Sequence, residues 1–332
     1  MAGEKIPVNV FLHSVLKQLH TYRPEMVSGA SFGGDCAILE TGEYPYVTTC
    51  QREGELLTPE DICELLVLCA NNLAAGGSLP VGFEISLLLP SNFENDFVKA
   101  VMQAADAVCK KLNLQIIGGQ TKSFHSLSVP VAVVSGIGYA NQATTAAVFA
   151  KNKKTLPNQD IVITKWVGLQ GTAILAEENA EKINAVYPAF LSEEAKRYRT
   201  YLSVLSEAAV AMRSGVTAMH DASEGGIFAA LWEIAQGAGV GLTVDLKKIP
   251  IRQETVEIAE VCGVNPYELF SGGSLVLFCK SGEAMVNALA AEGIHSAVVG
   301  RTTSDAAMIL TNDDEVRYLD RPKKDQIFER KE

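Results

Sequence analysis

The chain has 332 residues, of which 48% are hydrophobic and 20% charged, so it can bury a large core, and its length favours two domains over one. Its net charge of −11 repels polyanions, which argues against nucleic acid as a partner. No uncharged apolar run is long enough to cross a bilayer, and Met1–Lys5 lacks a signal-peptide pattern, so we expect a cytoplasmic protein that does not bind membranes.

The first half of the chain predicts alternating helices and strands. A helix is predicted over 58–75, with Thr58 as its N-cap and Gly76–Gly77 at its end. A strand follows over 81–89 and stops at Pro90. The other elements predicted in this half are an amphipathic helix near 94–113 and strands at 114–117 and 129–136.

The second half repeats this alternation after a linker. Residues 139–160 are the expected linker, because they combine a lysine-rich polar stretch with Pro157. The predicted strands are 160–164, 216–219, 241–245, 274–279 and 296–300, and the predicted helices are a long one over about 193–213 and one that begins at Gly226. The charged tail from Arg321 to Glu332 is expected to be frayed. These patterns predict two α/β domains, 1–155 and 156–332.

Three glycine-rich polar segments lie beside apolar, strand-like runs, at 33–37, 118–122 and 220–226. Glycine lets main-chain amides approach an anion closely, and the third segment opens a helix, whose N-terminus favours negative charge. The three segments together predict a phosphate or nucleotide site built from distant parts of the chain. Lys122 and Lys165 are the candidate cations for such a site.

The seven cysteines do not form a recognisable metal or redox motif. No pair has the C-x-x-C spacing, and the odd number argues against a complete disulfide framework. Reduced thiols are therefore expected.

Short motifs with a shared order and spacing extend over nearly the whole chain. They are Gly34-Asp35-Cys36-Ala37-Ile38-Leu39, Val47-Thr48-Thr49-Cys50, Asn71-Asn72-Leu73-Ala74-Ala75-Gly76-Gly77-Ser78-Leu79-Pro80, Gly118-Gly119-Gln120-Thr121, Lys165-Trp166-Val167-Gly168-Leu169-Gln170-Gly171-Thr172 and His220-Asp221-Ala222-Ser223-Glu224-Gly225-Gly226. The set resembles the aminoimidazole ribonucleotide (AIR) synthetase, or PurM-like, superfamily. It is most similar to the branch of hydrogenase expression/formation protein E (HypE), an ATP-dependent dehydratase of hydrogenase maturation.

This resemblance implies a two-domain α/β (α+β) fold that binds ATP with Mg²⁺ between its domains. An N-terminal α/β domain would form a dimeric, β-barrel-like interface, and a C-terminal α+β domain would cover the cleft. The resemblance implies Asp35 and Asp221 as catalytic residues, with Asp35 also as a metal ligand. The implied cofactor-binding residues are Gly34, Asp35, Asn72, Gly118, Gly119, Gln120, Thr121 and Lys122. The implied substrate-side loop contains His220, Asp221, Glu224, Gly225 and Gly226.

The chain departs from the superfamily pattern at four positions where carboxylates are common. These positions hold uncharged residues: Cys36, Cys50, Asn72 and Gln120. Mg²⁺ prefers hard oxygen ligands, carboxylates above all, so we expect weakened Mg²⁺ binding unless Glu53 and Glu55 compensate. Two alternatives remain open: the four residues simply pack and hydrogen-bond, or the two thiols bind a soft metal with His125.

The end of the chain also differs from the HypE branch, which has a flexible Pro-Arg-Ile-Cys tail. The last residues here are Phe328–Glu332, without cysteine. We therefore do not expect dehydration by the same route.

The sequence leaves more than one function open. The first is a homodimeric enzyme that binds ATP or a related nucleotide and phosphorylates an oxygen of a small-molecule or protein-borne substrate. The second is a non-catalytic relative that serves as a binding or metallocofactor-maturation scaffold with a protein partner. Thiamine-monophosphate kinase or selenophosphate synthetase activity is a third reading, which the missing acids and the lack of an N-terminal Cys/Lys glycine loop disfavour.

Overall fold

A computed structural model describes residues 8–20, 25–29, 34, 36–40, 46–140 and 157–328. It contains two mixed sheets, one built before residue 140 and the other after residue 157. The expected two-domain, mixed α/β architecture is confirmed. The boundary predicted at 155/156 stays a prediction, because it is next to the described residues at 157 and lies outside them.

Within the described residues, the first sheet has six strands. They are β1 (Met26–Ser28), β2 (Ala37–Leu39), β3 (Tyr46–Glu55), β4 (Leu79–Pro90), β5 (Gln115–Phe124) and β6 (Val131–Ala140). Their order is β1-β2-β3-β6-β4-β5, and all neighbours are antiparallel except β4 and β5. The helices of this half are α1 (Val8–Val10), α2 (Asp61–Ala75) and α3 (Asn95–Leu112).

Over residues 157–328, the second sheet has seven strands. They are β7 (Asp160–Thr164), β8 (Val216–Ala222), β9 (Gly241–Asp245), β10 (Ser274–Cys279), β11 (Ser296–Thr303), β12 (Met308–Asn312) and β13 (Glu315–Tyr318). Their order is β13-β12-β9-β11-β7-β10-β8. The helices of this half are α4 (Leu169–Glu178), α5 (Ala180–Asn184), α6 (Ala189–Lys196), α7 (Leu205–Arg213), α8 (Gly226–Ala238), α9 (Gln253–Cys262) and α10 (Gly282–Ala291).

Helix α2 joins the two halves because it is buried on more than one side. Its residues Ile62, Leu66 and Cys69 pack into the core beneath the first sheet, as the helical spacing predicted. Its last turn, Ala74 and Ala75, packs instead with apolar residues of the second half. The helix begins at Asp61, three residues later than expected, and Glu60 is its N-cap, so Thr58 is not the N-cap. The Thr58 amide donates to the Asp61 carboxylate at 2.7 Å.

The segment predicted as the second glycine loop is part of a strand. Residues 118–122 belong to β5 and pair in parallel with β4. Gly119 has φ of +142°, and a Cβ at this position would lie 1.9 Å from the Ile85 carbonyl oxygen. Glycine therefore serves the close approach of two strands here.

The long helix predicted over 193–213 is broken. A 3₁₀ turn at Arg197–Tyr201 separates α6 from α7. The Asn71 side chain of α2 donates to the Leu202 carbonyl at 2.7 Å and accepts from the Val204 amide at 2.9 Å. These tertiary bonds replace the backbone bonds that a continuous helix would need.

The tail is ordered further than its charge suggested. Leu319, Asp325 and Ile327 are buried, so the expectation of a frayed tail is wrong for 321–328. Residues 329–332 lie outside the described part. None of the helices in the described ranges has the length and apolar character required to span a bilayer.

Candidate functional site

Arg52 is the residue at which the two halves of the chain meet in a polar cluster. Its Nη2 donates to Asn72 Oδ1 at 2.9 Å and to Ser223 Oγ at 3.2 Å. The same atom lies 3.6 Å from Asp221 Oδ2. We call Arg52, Asn72, Ser223 and Asp221 the Arg52 cluster. It joins one predicted cofactor-binding residue to one predicted catalytic residue.

Local structure explains how each member reaches the cluster. On β3, Cys50, Arg52 and Gly54 alternate with the exposed Gln51, Glu53 and Glu55, so Arg52 projects from the side that α2 covers. Asn72 is 8% exposed in α2, and Asp221 is 4% exposed in β8. Arg52 is not among the residues predicted for the site, although the period-two spacing from Cys50 places both side chains on one face of the strand.

The two nearby acids do not compensate for the missing carboxylates within this cluster. Glu53 and Glu55 are exposed and project from the face of β3 opposite to Arg52. The prediction that they replace the lost acids is therefore not supported by their placement.

Cys36 and Cys50, which the resemblance places where carboxylates are common, lie in apolar surroundings. Cys36 is buried with Ile38 and Leu73, and Cys50 packs against the same group. The Cys50 thiol lies 3.6 Å from the Cys69 sulfur and 3.3 Å from its carbonyl oxygen. The hydrogen bond with Cys69, followed by burial, raises the pKa of Cys50, so its thiol stays protonated and is a poor metal ligand.

His125, the third member of the proposed soft-metal site, lies in different surroundings. Its Nδ1 is 2.8 Å from the Ser91 hydroxyl, in an exposed part of the first half. Across the described residues, no group of three or more His, Cys, Asp and Glu side chains is placed to hold a metal ion.

The amides at the start of α8 are already used by the protein itself. The Gly225 amide donates to Asp325 Oδ2 at 2.6 Å, and the Gly226 amide donates to the Ser223 carbonyl at 3.2 Å. Burial, the largest cause, raises the pKa of Asp325 to about 7. Glu224 is half-buried, and its charge adds to this shift. The Gly225 amide is therefore occupied by an internal carboxyl group and the Gly226 amide by a backbone carbonyl, and the predicted substrate-side role of these two glycines stays a prediction.

His220 projects away from the Arg52 cluster. The segment predicted as a loop at 220–221 continues β8, and neighbouring residues of a strand face opposite sides. His220 is buried with its Nε2 3.0 Å from Glu233 Oε2 of α8. We therefore leave His220 out of the proposed site.

Lys165 is also structural. Its Nζ donates to the Ser203 carbonyl at 2.5 Å and lies 2.6 Å from the Glu207 carboxylate. Burial lowers its pKa, with Glu207 acting in the opposite direction.

The remaining predicted residues are not joined to the cluster. Gly118, Gly119, Gln120, Thr121 and Lys122 are exposed on β5, at the edge of the sheet. Over the part of the chain that the structure describes, no hydrogen bond or ion pair links them to Arg52, Asn72 or Asp221. Gly34 is exposed, and Asp35 lies outside the described residues.

The Mg²⁺ that the resemblance implies does not fit the donors of the Arg52 cluster. A cation on Asn72 Oδ1 would lie about 2 Å from this oxygen, to which Arg52 donates from 2.9 Å. At about 4 Å and an effective dielectric near 20, two positive charges repel by about 4 kcal/mol per unit of charge. Asp221 is the one carboxylate that contacts Arg52 among the described residues, and its Oδ2 lies 3.6 Å from the guanidinium.

The sequence matches a protein-family model in each of its two halves. The model of the AIR synthase related protein N-terminal domain matches residues 33–140, and the model of the corresponding C-terminal domain matches residues 157–311. The chain belongs to the AIR synthase-related family. Both family domains together contain every member of the Arg52 cluster.

Two groups of relatives, carbamoyl dehydratases and thiamine-monophosphate kinases, are similar to this chain in sequence. Carbamoyl dehydratase HypE of Rhodobacter capsulatus is 28% identical over 244 residues, which cover 71% of this chain and 68% of that protein. Thiamine-monophosphate kinase of Pyrococcus horikoshii is 24% identical over 207 residues, which cover 62% of this chain and 61% of the kinase.

Solved structures share the fold at lower identity. HypE in complex with ATP superimposes with a TM-score of 0.70 at 16% identity, covering 96% of this chain and 93% of that chain. AaThiL complexed with AMPPCP and TMP has a TM-score of 0.70 at 17% identity, covering 89% and 92%. HypE in the HypE–HypF complex has a TM-score of 0.69 at 17% identity, covering 87% and 93%.

Proposed function

We propose that this AIR synthase-related protein binds ATP or a related nucleotide at the Arg52 cluster, between its two halves. The observation that carries the proposal is the set of contacts from Arg52 to Asn72 on one side and to Ser223 and Asp221 on the other. A guanidinium that bridges two domains is suited to an anionic ligand held between them. Similarity to a HypE solved with ATP and to AaThiL solved with AMPPCP supports a nucleotide as this ligand.

The reaction we propose is transfer of the γ-phosphoryl group of ATP to an oxygen of a substrate. The substrate oxygen attacks phosphorus, the bond to the bridging oxygen breaks, and ADP leaves. Asp221 is the carboxylate on the C-terminal side of the cleft, where it would accept the proton of the attacking hydroxyl group. Asp35 is the second acid of the proposed chemistry.

A binding or maturation scaffold is the second candidate function. The observation that favours it is the chemistry at the former carboxylate positions: Cys50 is a protonated thiol that contacts Cys69, and Cys36 is buried among apolar residues. Such a protein would bind nucleotide without turnover. The HypE–HypF structure supports a maturation protein as a partner of either form.

We also propose that the protein is a homodimer. Val47, Tyr139 and Leu79 lie side by side on β3, β6 and β4, and their exposures are 37%, 43% and 56%. We call these three residues the exposed sheet row. An uncovered apolar row on a central part of a sheet is typical of an interaction surface.

Calorimetric titration with ATP, followed by measurement of ADP release, tests nucleotide binding and turnover separately. We expect heat of binding at micromolar to millimolar ATP. If the first function holds, Asp221→Asn lowers ADP release at least about 100-fold, because the proton acceptor is lost.

The matched control is Asp106→Asn. Asp106 forms an exposed ion pair with Lys110 on α3, so its replacement is expected to leave ADP release unchanged. Absence of binding up to millimolar ATP contradicts the proposal, whereas binding without ADP release, both in water and with added hydroxyl-bearing acceptors, favours the scaffold function.

A further inference from the structure

Among the described residues, the Arg52 guanidinium has hydrogen-bond donors without a protein acceptor. A guanidinium has five N–H donors, and all contacts of Arg52 with Asn72, Ser223 and Asp221 come from Nη2. Within the described ranges, Nη1 has no hydrogen-bond acceptor, and Nε is buried without one. The side chain is 22% exposed, so a ligand at the Arg52 cluster can reach it.

The donors around Arg52 are those of an anion site and not of a divalent-cation site. Asn72 presents its amide oxygen to the guanidinium, which leaves the amide nitrogen of the same side chain as a donor. Cys50 on the same face of β3 remains a neutral thiol. Asp221 contacts the guanidinium at 3.6 Å, longer than a hydrogen bond, so it holds the charge in place without occupying Nη1.

We propose that Arg52 supplies the positive charge that a divalent metal would otherwise bring to this cleft, so that the protein binds the phosphate groups of its nucleotide directly and without metal. This inference rests on the proposed nucleotide binding and adds the means of recognition. The planar fork of a guanidinium pairs with two phosphate oxygens at once, which an ammonium group does not do.

A purely structural role for Arg52 makes a different prediction. If the guanidinium only ties the two halves together, its loss lowers stability and leaves the affinity for ATP in the folded protein unchanged. Metal dependence of ATP binding by the unaltered chain is a second measurement, which requires no variant.

The experiment is calorimetric titration of ATP into the full chain, once in EDTA and once in Mg²⁺, for the wild type and for three variants. We expect the wild-type affinity for ATP in EDTA to be within about threefold of the affinity in Mg²⁺. A threefold change in affinity corresponds to less free energy than one charge-assisted hydrogen bond contributes. Arg52→Met is expected to lower the affinity in EDTA by about tenfold to 100-fold, the effect of charge-assisted hydrogen bonds. Arg52→Lys keeps the positive charge but not the planar fork of the guanidinium. Its affinity for ATP in EDTA is therefore expected to lie between those of the wild type and Arg52→Met.

Arg213→Met is the matched control, because Arg213 forms an exposed ion pair with Glu292 on the second half. It removes the same charge and is expected to bind ATP as the wild type does. Thermal unfolding without ligand identifies a variant that does not fold, and in that case Arg52→Lys and the wild-type comparison decide.

The outcomes separate this inference from the proposed function. Wild-type binding that requires Mg²⁺, or equal affinity of folded Arg52→Met and wild type in EDTA, overturns the inference and leaves nucleotide binding intact. Absence of ATP binding in both buffers overturns the inference together with the proposed function.

Discussion

Asp325 shows how one side chain can take the place of a ligand. Its carboxyl group is fully buried and accepts from the amides of Gly225, at the start of α8, and Ile327. A helix N-terminus attracts negative charge, and here the tail of the same chain supplies the group. The Gly225 amide therefore serves the docking of the tail.

The raised pKa of Asp325 predicts a pH-dependent stability. Folding raises this pKa from an unfolded value near 3.8 to about 7. The stabilisation is thus complete below the unfolded pKa and is lost as the pH rises through about 7. Between pH 5 and pH 8 the wild type should lose about 3 kcal/mol of unfolding free energy that Asp325→Asn does not lose. Urea denaturation at several pH values measures this difference.

Asp320→Asn is the control for that experiment. Asp320 lies immediately before the tail, its side chain is 77% exposed, and its ion pair with Lys323 is 3.7 Å long. The unfolding free energy of Asp320→Asn should therefore change with pH as that of the wild type does. If the unfolding free energies of Asp325→Asn and the wild type change with pH in the same way, the assigned role of Asp325 is contradicted.

At the scale of elements, helix α2 has three tasks. It fills the core under the first sheet, contributes Asn72 to the Arg52 cluster, and holds the break between α6 and α7 through Asn71. Asn71 is fully buried and satisfies two backbone groups of the second half. One helix thereby couples the position of the Arg52 cluster to the packing of both halves.

We predict that Asn71→Ala destabilises the protein by about 2–4 kcal/mol. The substitution leaves the Leu202 carbonyl and the Val204 amide buried without partners, at about 1–3 kcal/mol for each group. Denaturant unfolding measures the effect. Asn287→Ala is the control: Asn287 is exposed in α10, so its replacement should change stability by less than about 0.5 kcal/mol. An equal effect of both substitutions would refute the role of Asn71.

At the scale of the whole molecule, the first sheet has faces of different character. Helices α2 and α3 bury one face, whereas the exposed sheet row on the other presents Val47, Tyr139 and Leu79 on adjacent strands. A second copy of the chain is the occupant we propose for this row.

Tyr139→Glu should therefore weaken self-association about tenfold to 100-fold, because a charge would enter a desolvated contact. Sedimentation equilibrium measures the dissociation constant. Phe190→Glu is the matched control, since Phe190 is 70% exposed on α6 and outside the first sheet. A monomeric wild type, or a Tyr139→Glu variant that associates as tightly as the wild type, would refute the homodimer.

Local pattern was sufficient for many elements and for the family. The bounds of β7, β9 and β10 agree with the prediction, because each is a short apolar run between turn residues. The motif order likewise led to the AIR synthase-related fold. The roles of Asp35 and of the β5 residues Gly118 to Lys122 remain predictions.

Other features depend on partners that are distant in sequence. The turn between α6 and α7 exists because Asn71 binds its backbone, and β5 extends through two glycines because β4 is its neighbour. Arg52 and Asp325 likewise acquire their roles from residues far along the chain. Periodicity and residue type were enough to define strands, helices and family, since these follow from neighbours along the backbone. Only the tertiary structure determined which charged groups lie beside each other between the two halves, because these side chains meet their electrostatic partners only when the two halves come together.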